Sequence, residues 1–231
     1  MKILAVDTAT ASGSIALLDD ARLMAEWTLH SAQTHTRRLL KDIDLLLKEL
    51  GWTLEHLDGF AVTIGPGSFT GLRIGVTTIK TLAWAARKPF VGISSLDALA
   101  APLGYAAQLI CPLLAARRNE IYYAFYQPDG KGTVRLLAPF QVESVERIVE
   151  KIQGPTLFCG DGWPLCRELF TKKLGDWAVA ASGAFQTIRA SQVGELARKR
   201  LQEQQGEDPM TCVPVYVRAS EAELRHPSRG S

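Results

Sequence analysis

MKILAVDTATASGSIALLDDARLMAEWTLH, residues Met1 to His30, decides the fold. It holds three apolar runs, Lys2 to Val6, Ser14 to Leu18 and Arg22 to Leu29, with Asp19-Asp20 as the polar turn between the last two. Short apolar runs bounded by polar, turn-forming residues read as buried strands. The chain therefore opens with a three-stranded meander. Beyond it, the pattern predicts a helix from about Thr34 to Leu50, ended by Gly51, and a strand from Gly59 to Ile64. A second helix spans about Phe69 to Ala86, a short strand runs from Phe90 to Ile93, and Ser94-Ser95-Leu96-Asp97 has the spacing of a helix start. Strands alternating with helices imply an α/β lobe.

From about Pro102 the pattern restarts. Gln108 to Ala115 and Glu120 to Tyr126 read as paired strands around Arg117-Arg118-Asn119, and Asp129-Gly130-Lys131-Gly132 turns the chain into a strand from Thr133 to Leu137. A helix at Val145 to Ile152, a strand at Thr156 to Cys159 and a helix after Gly162 complete a second α/β unit. We expect one lobe over residues 1–102 and another over 103–231. The last helix, Gln192 to Gln204, is a candidate to pack back on the first lobe, and Glu221 to Ser231 reads as a frayed tail.

Composition narrows the function. The 231 residues are 47% hydrophobic and 22% charged, enough apolar surface for a core without covalent staples. With 26 basic against 24 acidic side chains, the net charge of +2 argues against a dedicated nucleic-acid binder, although a local basic face still suffices to touch RNA. Every apolar run is broken well before the roughly 18 residues of a membrane span. Lys2 is followed by only four apolar residues before Asp7, too few for a secretory signal, so a cytoplasmic location is expected. Cys111, Cys159, Cys166 and Cys212 form no C-x-x-C pair and read as reduced core thiols.

Two segments carry possible chemistry. Asp7-Thr8-Ala9-Thr10, turning into Ser12-Gly13-Ser14, is a hydroxyl-rich hairpin with one carboxylate. Such a turn can hold phosphate through amides and hydroxyls, or simply reverse the chain. Gly65-Pro66-Gly67-Ser68-Phe69-Thr70-Gly71-Leu72-Arg73-Ile74-Gly75 lies between a buried strand and a helix, where amides can receive an anion or glycines can permit close packing. It is not a Walker A loop, and Thr70 stands where G-x-G-x-x-G requires its third glycine. Gly160-Asp161-Gly162 is a weaker candidate turn of the same kind.

The helix after the glycine loop has two covered faces. At about 100° per residue, Leu72, Val76, Ile79 and Ala83 share one, while Gly71, Gly75, Thr78, Leu82 and Ala85 line another. The preceding helix carries Leu39, Leu40, Ile43, Leu46, Leu47 and Leu50 on a stripe, with Leu45 stranded among charges. A helix-mediated subunit contact is expected, through Leu39, Ile43, Leu46, Leu47, Gly71, Ile74, Gly75, Thr78 and Leu82. Catalytic and metal sets are absent: Leu39 stands four residues after His35, His30, His56 and His226 lack ligand spacing, and Ser68 lacks the glycines of a nucleophile elbow.

ILAVDTAT with SIALL, GPGSFTGLRIG, and PVYVR at Pro214 to Arg218 together resemble the TsaB (YeaZ) family, the smaller relative of the TsaD/Gcp proteins. The resemblance covers most of the chain. It implies a two-lobed fold of the actin-like, sugar kinase and Hsp70 ATPase (ASKHA) type with a reduced second lobe. It also implies an accessory role in making N6-threonylcarbamoyladenosine at position 37 of tRNAs reading codons that begin with A. A TsaD-type paralogue, whose H-x-x-x-H holds metal, transfers the group, and a TsaE-type ATPase joins the pair. Pairing is implied through the first lobe's helices, with a homodimer on much the same surface, and tRNA is reached through the complex.

On this reading Asp7, Thr8, Thr10, Gly65, Gly67, Ser68 and Thr70 are vestigial phosphate loops, and no cofactor is required although weak ATP or ADP binding is compatible. Val217 stands where leucine is commoner in P-x-Y-L-R, and Ala222 to Ser231 is individual. Two other readings stay open: an actin-like phosphotransferase or ATPase acting alone, and a peptidase.

Overall fold

The computed structural model describes residues 1–30, 38–117, 119–209 and 213. The first sheet has the order β3-β2-β1-β4-β5. β1 (Lys2–Asp7), β2 (Ser12–Asp19) and β3 (Arg22–His30) form the expected antiparallel meander, and β4 (Gly59–Gly65) and β5 (Phe90–Ser94) continue it in parallel. β1 is apolar without alternation because both its faces are covered. Leu4 and Val6 pack in a core with α1 (Leu39–Glu49) and α2 (Phe69–Ala86). Ile3 and Ala5 pack on the opposite side, in a core shared with α3 (Ser95–Ala100) and α6 (Ala190–Gln202).

The second sheet runs β10-β7-β6-β11-β12, with β8 attached to β6 and β9 to β8. Its strands are β6 (Leu109–Ala115), β7 (Glu120–Tyr123), β8 (Tyr126–Pro128), β9 (Val134–Leu136), β10 (Gln141–Ser144), β11 (Thr156–Cys159) and β12 (Ala178–Ala180). α4 (Val145–Val149) and α5 (Trp163–Leu174) enclose its core, where Phe158 stacks on Trp163 at 5.3 Å and meets Phe170 edge-on at 5.0 Å.

Several expectations need correction. The stretch Glu120 to Tyr126 is two strands, because β7 pairs with Leu113–Ala115 whereas Tyr126 pairs further along β6 at Ile110. The strand expected from Thr133 to Leu137 is present as β9, which pairs with β8, whereas the strand beside β7 on its outer edge is β10. α4 ends at Val149 rather than Ile152. Thr34 to Arg37, Arg118, Cys212, PVYVR and the tail lie outside the described residues. Among the described residues no helix is long and apolar enough to cross a membrane.

α6 returns from the far end of the sequence to lie across β1, β2, β4 and β5. Gly194 makes the close approach, since a Cβ there would run into Leu18 and stand 3.2 Å from the Ala5 Cβ. Two side chains of the meander receive its first turn. Glu26 accepts from Ser191 N at 2.8 Å and pairs with Arg189, and the Ser14 hydroxyl accepts from Ala190 N at 2.9 Å. These bonds satisfy amides that a helix start leaves without intrahelical partners.

Candidate functional site: a hairpin, a glycine loop and the helix they hold

The two segments singled out by sequence lie against each other. β1 ends at Asp7, which is wholly buried. Its Oδ1 accepts from the Thr63 hydroxyl on β4 at 2.7 Å and from Ala9 N at 3.1 Å, while Oδ2 has no hydrogen-bond partner among the described residues. Ser68 N donates to Ala9 O at 2.7 Å, and the Thr8 hydroxyl donates to Gly71 O at 2.8 Å. Ser68 also caps α2, accepting from Gly71 N at 3.2 Å. The hairpin thus grips the first turn of α2. Gly67 and Gly71 permit the grip, because a Cβ on either would collide with backbone at Ala9 or Thr8.

Burial pushes the Asp7 carboxyl up to about 7, with the Thr63 and Ala9 hydrogen bonds opposing and Asp161 adding a like charge. Asp161 belongs to the turn between β11 and α5 in the second lobe, where burial raises it too, against a bond from Ala115 N at 3.1 Å. The Gly160-Asp161-Gly162 turn is therefore electrostatically in reach of the hairpin, and Gly162 N donates to Leu113 O at 3.0 Å.

Four amides of the two segments are engaged internally: Ala9 N, Ser12 N, Ser68 N and Gly71 N all donate within the chain. The structure brings Asp7, Thr8, Gly67 and Ser68 together, with Gly65 buried at the end of β4. Thr10 bonds within its own turn, and Thr70 is exposed on α2. Among the described residues no three candidate ligands form a metal site. Cys111, Cys159 and Cys166 are buried free thiols, all raised by burial, Cys166 to about 12, which suits core packing rather than nucleophilic chemistry.

The expected partner-contact set divides. Leu39, Ile43, Leu46 and Leu47 are buried against the chain's own sheet. Gly71 and Gly75 are buried too, and a Cβ on Gly75 would strike the Thr8 hydroxyl and come within 3.3 Å of Val62. These six face inward, so they are corrected from contact residues to packing residues: the small-residue face accommodates the hairpin. Ile74, Thr78 and Leu82 are partly exposed on α2. Sequence reasoning missed Trp84, 64% exposed near the end of α2, and counted Leu40, 57% exposed, with the inward stripe. A lone tryptophan outside the Leu72–Ala83 stripe was the available signal.

Two lobes with mixed sheets, helices on both faces of the first, and a hairpin and glycine loop meeting at the end of its central strands define the actin-like ATPase and sugar kinase class. Remote structures at 10–13% identity, with TM-scores of 0.53–0.54, share this fold. The family model described as "TsaD: tRNA N6-adenosine threonylcarbamoyltransferase" matches residues 29–226. The protein TsaB of Bacillus subtilis is 33% identical over 97% of both chains, and TsaB of Escherichia coli is 35% identical over 71% of this chain and 72% of its own. The structure of YeaZ from Pseudomonas aeruginosa superposes with a TM-score of 0.80 at 29% identity, covering 94% of this chain and 99% of that one. The chain belongs to the TsaB family of tRNA threonylcarbamoyladenosine biosynthesis proteins, within the wider TsaD family.

Proposed function

We propose that the chain is a noncatalytic accessory subunit in the formation of N6-threonylcarbamoyladenosine on tRNA, and that it binds and supports a TsaD-type catalytic subunit. The observation that carries this reading is the division of labour within the first lobe. The Thr8 hydroxyl and Ser68 N join the hairpin to the glycine loop, while α1 and α2 leave Leu40, Leu45 and Trp84 in water. An exposed tryptophan with neighbouring apolar residues is the usual anchor of a protein interface. The contact we assign is therefore Ile74, Thr78, Leu82 and Trp84 on α2, with Leu40 and Leu45 on α1. A homodimer through the same face would compete with the heterodimer. A TsaE-type ATPase and tRNA join through the complex, in the cytoplasm, with no cofactor required by this chain.

Co-expression with a TsaD-type partner, followed by size exclusion with light scattering, tests the reading. A heteromeric peak lost in Trp84→Asp is expected; separate elution of the two wild-type chains would overturn it. The unpartnered Asp7 oxygen favours one second reading, an ATPase acting alone, which requires saturable ATP turnover by the isolated chain that disappears in Asp7→Asn.

A further inference from the structure

All 24 acidic residues of the chain lie outside residues 59–96, the stretch that supplies β4, α2 and β5. α2 therefore carries Arg73 and Lys80 with no carboxylate, and Arg87 and Lys88 follow directly at its end. Trp84, 64% exposed, stands among the last three of these cations. Lys80 lies four residues before it on the same ridge of the helix, and Arg87 and Lys88 come where the chain leaves the helix. Arg87 is exposed and the two lysines partly so, and none of the three has an ion pair among the described residues. The pairs nearby are internal to the α1 segment, Arg38 with Asp42 and Lys48 with Asp44. The other two charges of α1, Lys41 and Glu49, are of opposite sign, so α1 is balanced and α2 is not.

The carbonyl end of a helix favours positive charge, but only within about its last turn. That accounts for Arg87 and Lys88. Lys80 precedes the last turn, and the absence of carboxylates is not a helix-end effect. In a two-fold contact the same patch serves both partners, so a second copy docked by this face brings its own positive excess against the first. Like charges so placed oppose association, whereas opposite ones favour it.

We propose that the C-terminal end of α2 selects its partner by charge: it docks on an apolar groove rimmed with carboxylates, and the same positive excess turns away a second copy of this chain. The partner chemistry assigned here rests on the proposed function. Trp84 and the exposed leucines supply the apolar contact, and Lys80, Arg87 and Lys88 form its charged rim. Nucleic acid is the other polyanion that such cations attract. A phosphate backbone, however, leaves Leu40, Leu45 and Leu82 without apolar cover, which a protein groove provides.

The test is the binding kinetics of the full-length chain with a TsaD-type subunit, by surface plasmon resonance at about 0.05 M and about 0.5 M salt. The wild-type affinity is expected to fall by about tenfold across that range, mainly through slower association. Lys80→Glu should weaken binding at low salt by about fivefold and flatten the salt dependence, with the thermal midpoint kept, while Lys80→Arg behaves as the wild type. Self-association of the isolated chain, followed by light scattering, should hold level or strengthen as salt rises. A complex indifferent to both salt and Lys80→Glu overturns the proposal, as does a homodimer that salt weakens. Partner affinity unchanged in Lys80→Glu while the complex loses tRNA binding assigns the cations to RNA and overturns it as well. If Lys80→Glu does not fold, the wild-type salt dependence decides alone. Absence of any complex at both salt concentrations removes the proposed function and this proposal with it, an outcome distinct from a complex that forms and ignores charge.

Discussion

Thr8 fills the space that a side chain at Gly71 or Gly75 would need. Gly75→Leu should therefore lower stability by about 1–3 kcal/mol, read as a drop in thermal midpoint, because the hairpin has to shift to admit the side chain. Trp84→Ala should behave oppositely. Stability should change by less than about 0.5 kcal/mol, since the ring is mostly in water, while affinity for a TsaD-type partner falls by about 2 kcal/mol or more, seen by calorimetry. The sequence distinguishes these two kinds of position poorly. Helical periodicity shows that Gly71 and Gly75 share a face, but not that a hairpin sixty residues upstream covers it. What periodicity did reveal is the inward stripe Leu72, Val76, Ile79 and Ala83, all buried as their spacing requires.

α6 depends on the meander for its start. Burial works against ionisation of Glu26, and the hydrogen bonds from Arg189 and Ser191 outweigh it, so the carboxyl sits below its usual range. Glu26→Gln should cost about 1.5–3 kcal/mol in chemical denaturation, as expected for bonds to a charged acceptor. Because the folded carboxyl is the stronger acid, its contribution is present above the unfolded value of 4.5 and is lost as pH falls through the folded one. An acid titration of stability should flatten there in the variant. At this scale the long, strongly patterned elements were legible, and α2 and β11 have the boundaries their flanking residues imply. β10 and β12 were not. Gln-Val-Glu-Ser and Ala-Val-Ala are too short to show a period, and neighbouring strands rather than local preference make them extended.

The molecule is stitched together by its order of packing. The first sheet draws one face of its core from α1 and α2 and the other from α3 and α6, so residues far apart in sequence share one hydrophobic core. A chain ending at residue 189 should lose the sharp thermal transition of the full chain, followed by circular dichroism, because Ile3, Ala5, Ala16 and Leu18 lose much of their cover. The return of α6 was legible only as a candidate. Its apolar face is plain from the sequence, but its destination is set by the fit of Gly194 over Leu18.

During synthesis, the meander leaves the ribosome well before its covering helix. The first lobe therefore waits, with half of its core open, until about residue 202 has been made. The exposed face of α2 lies on the opposite side of that unfinished sheet. A nascent chain should thus be unable to present a firm docking helix until α6 has emerged and packed, so the proposed assembly with a partner is deferred at least until then.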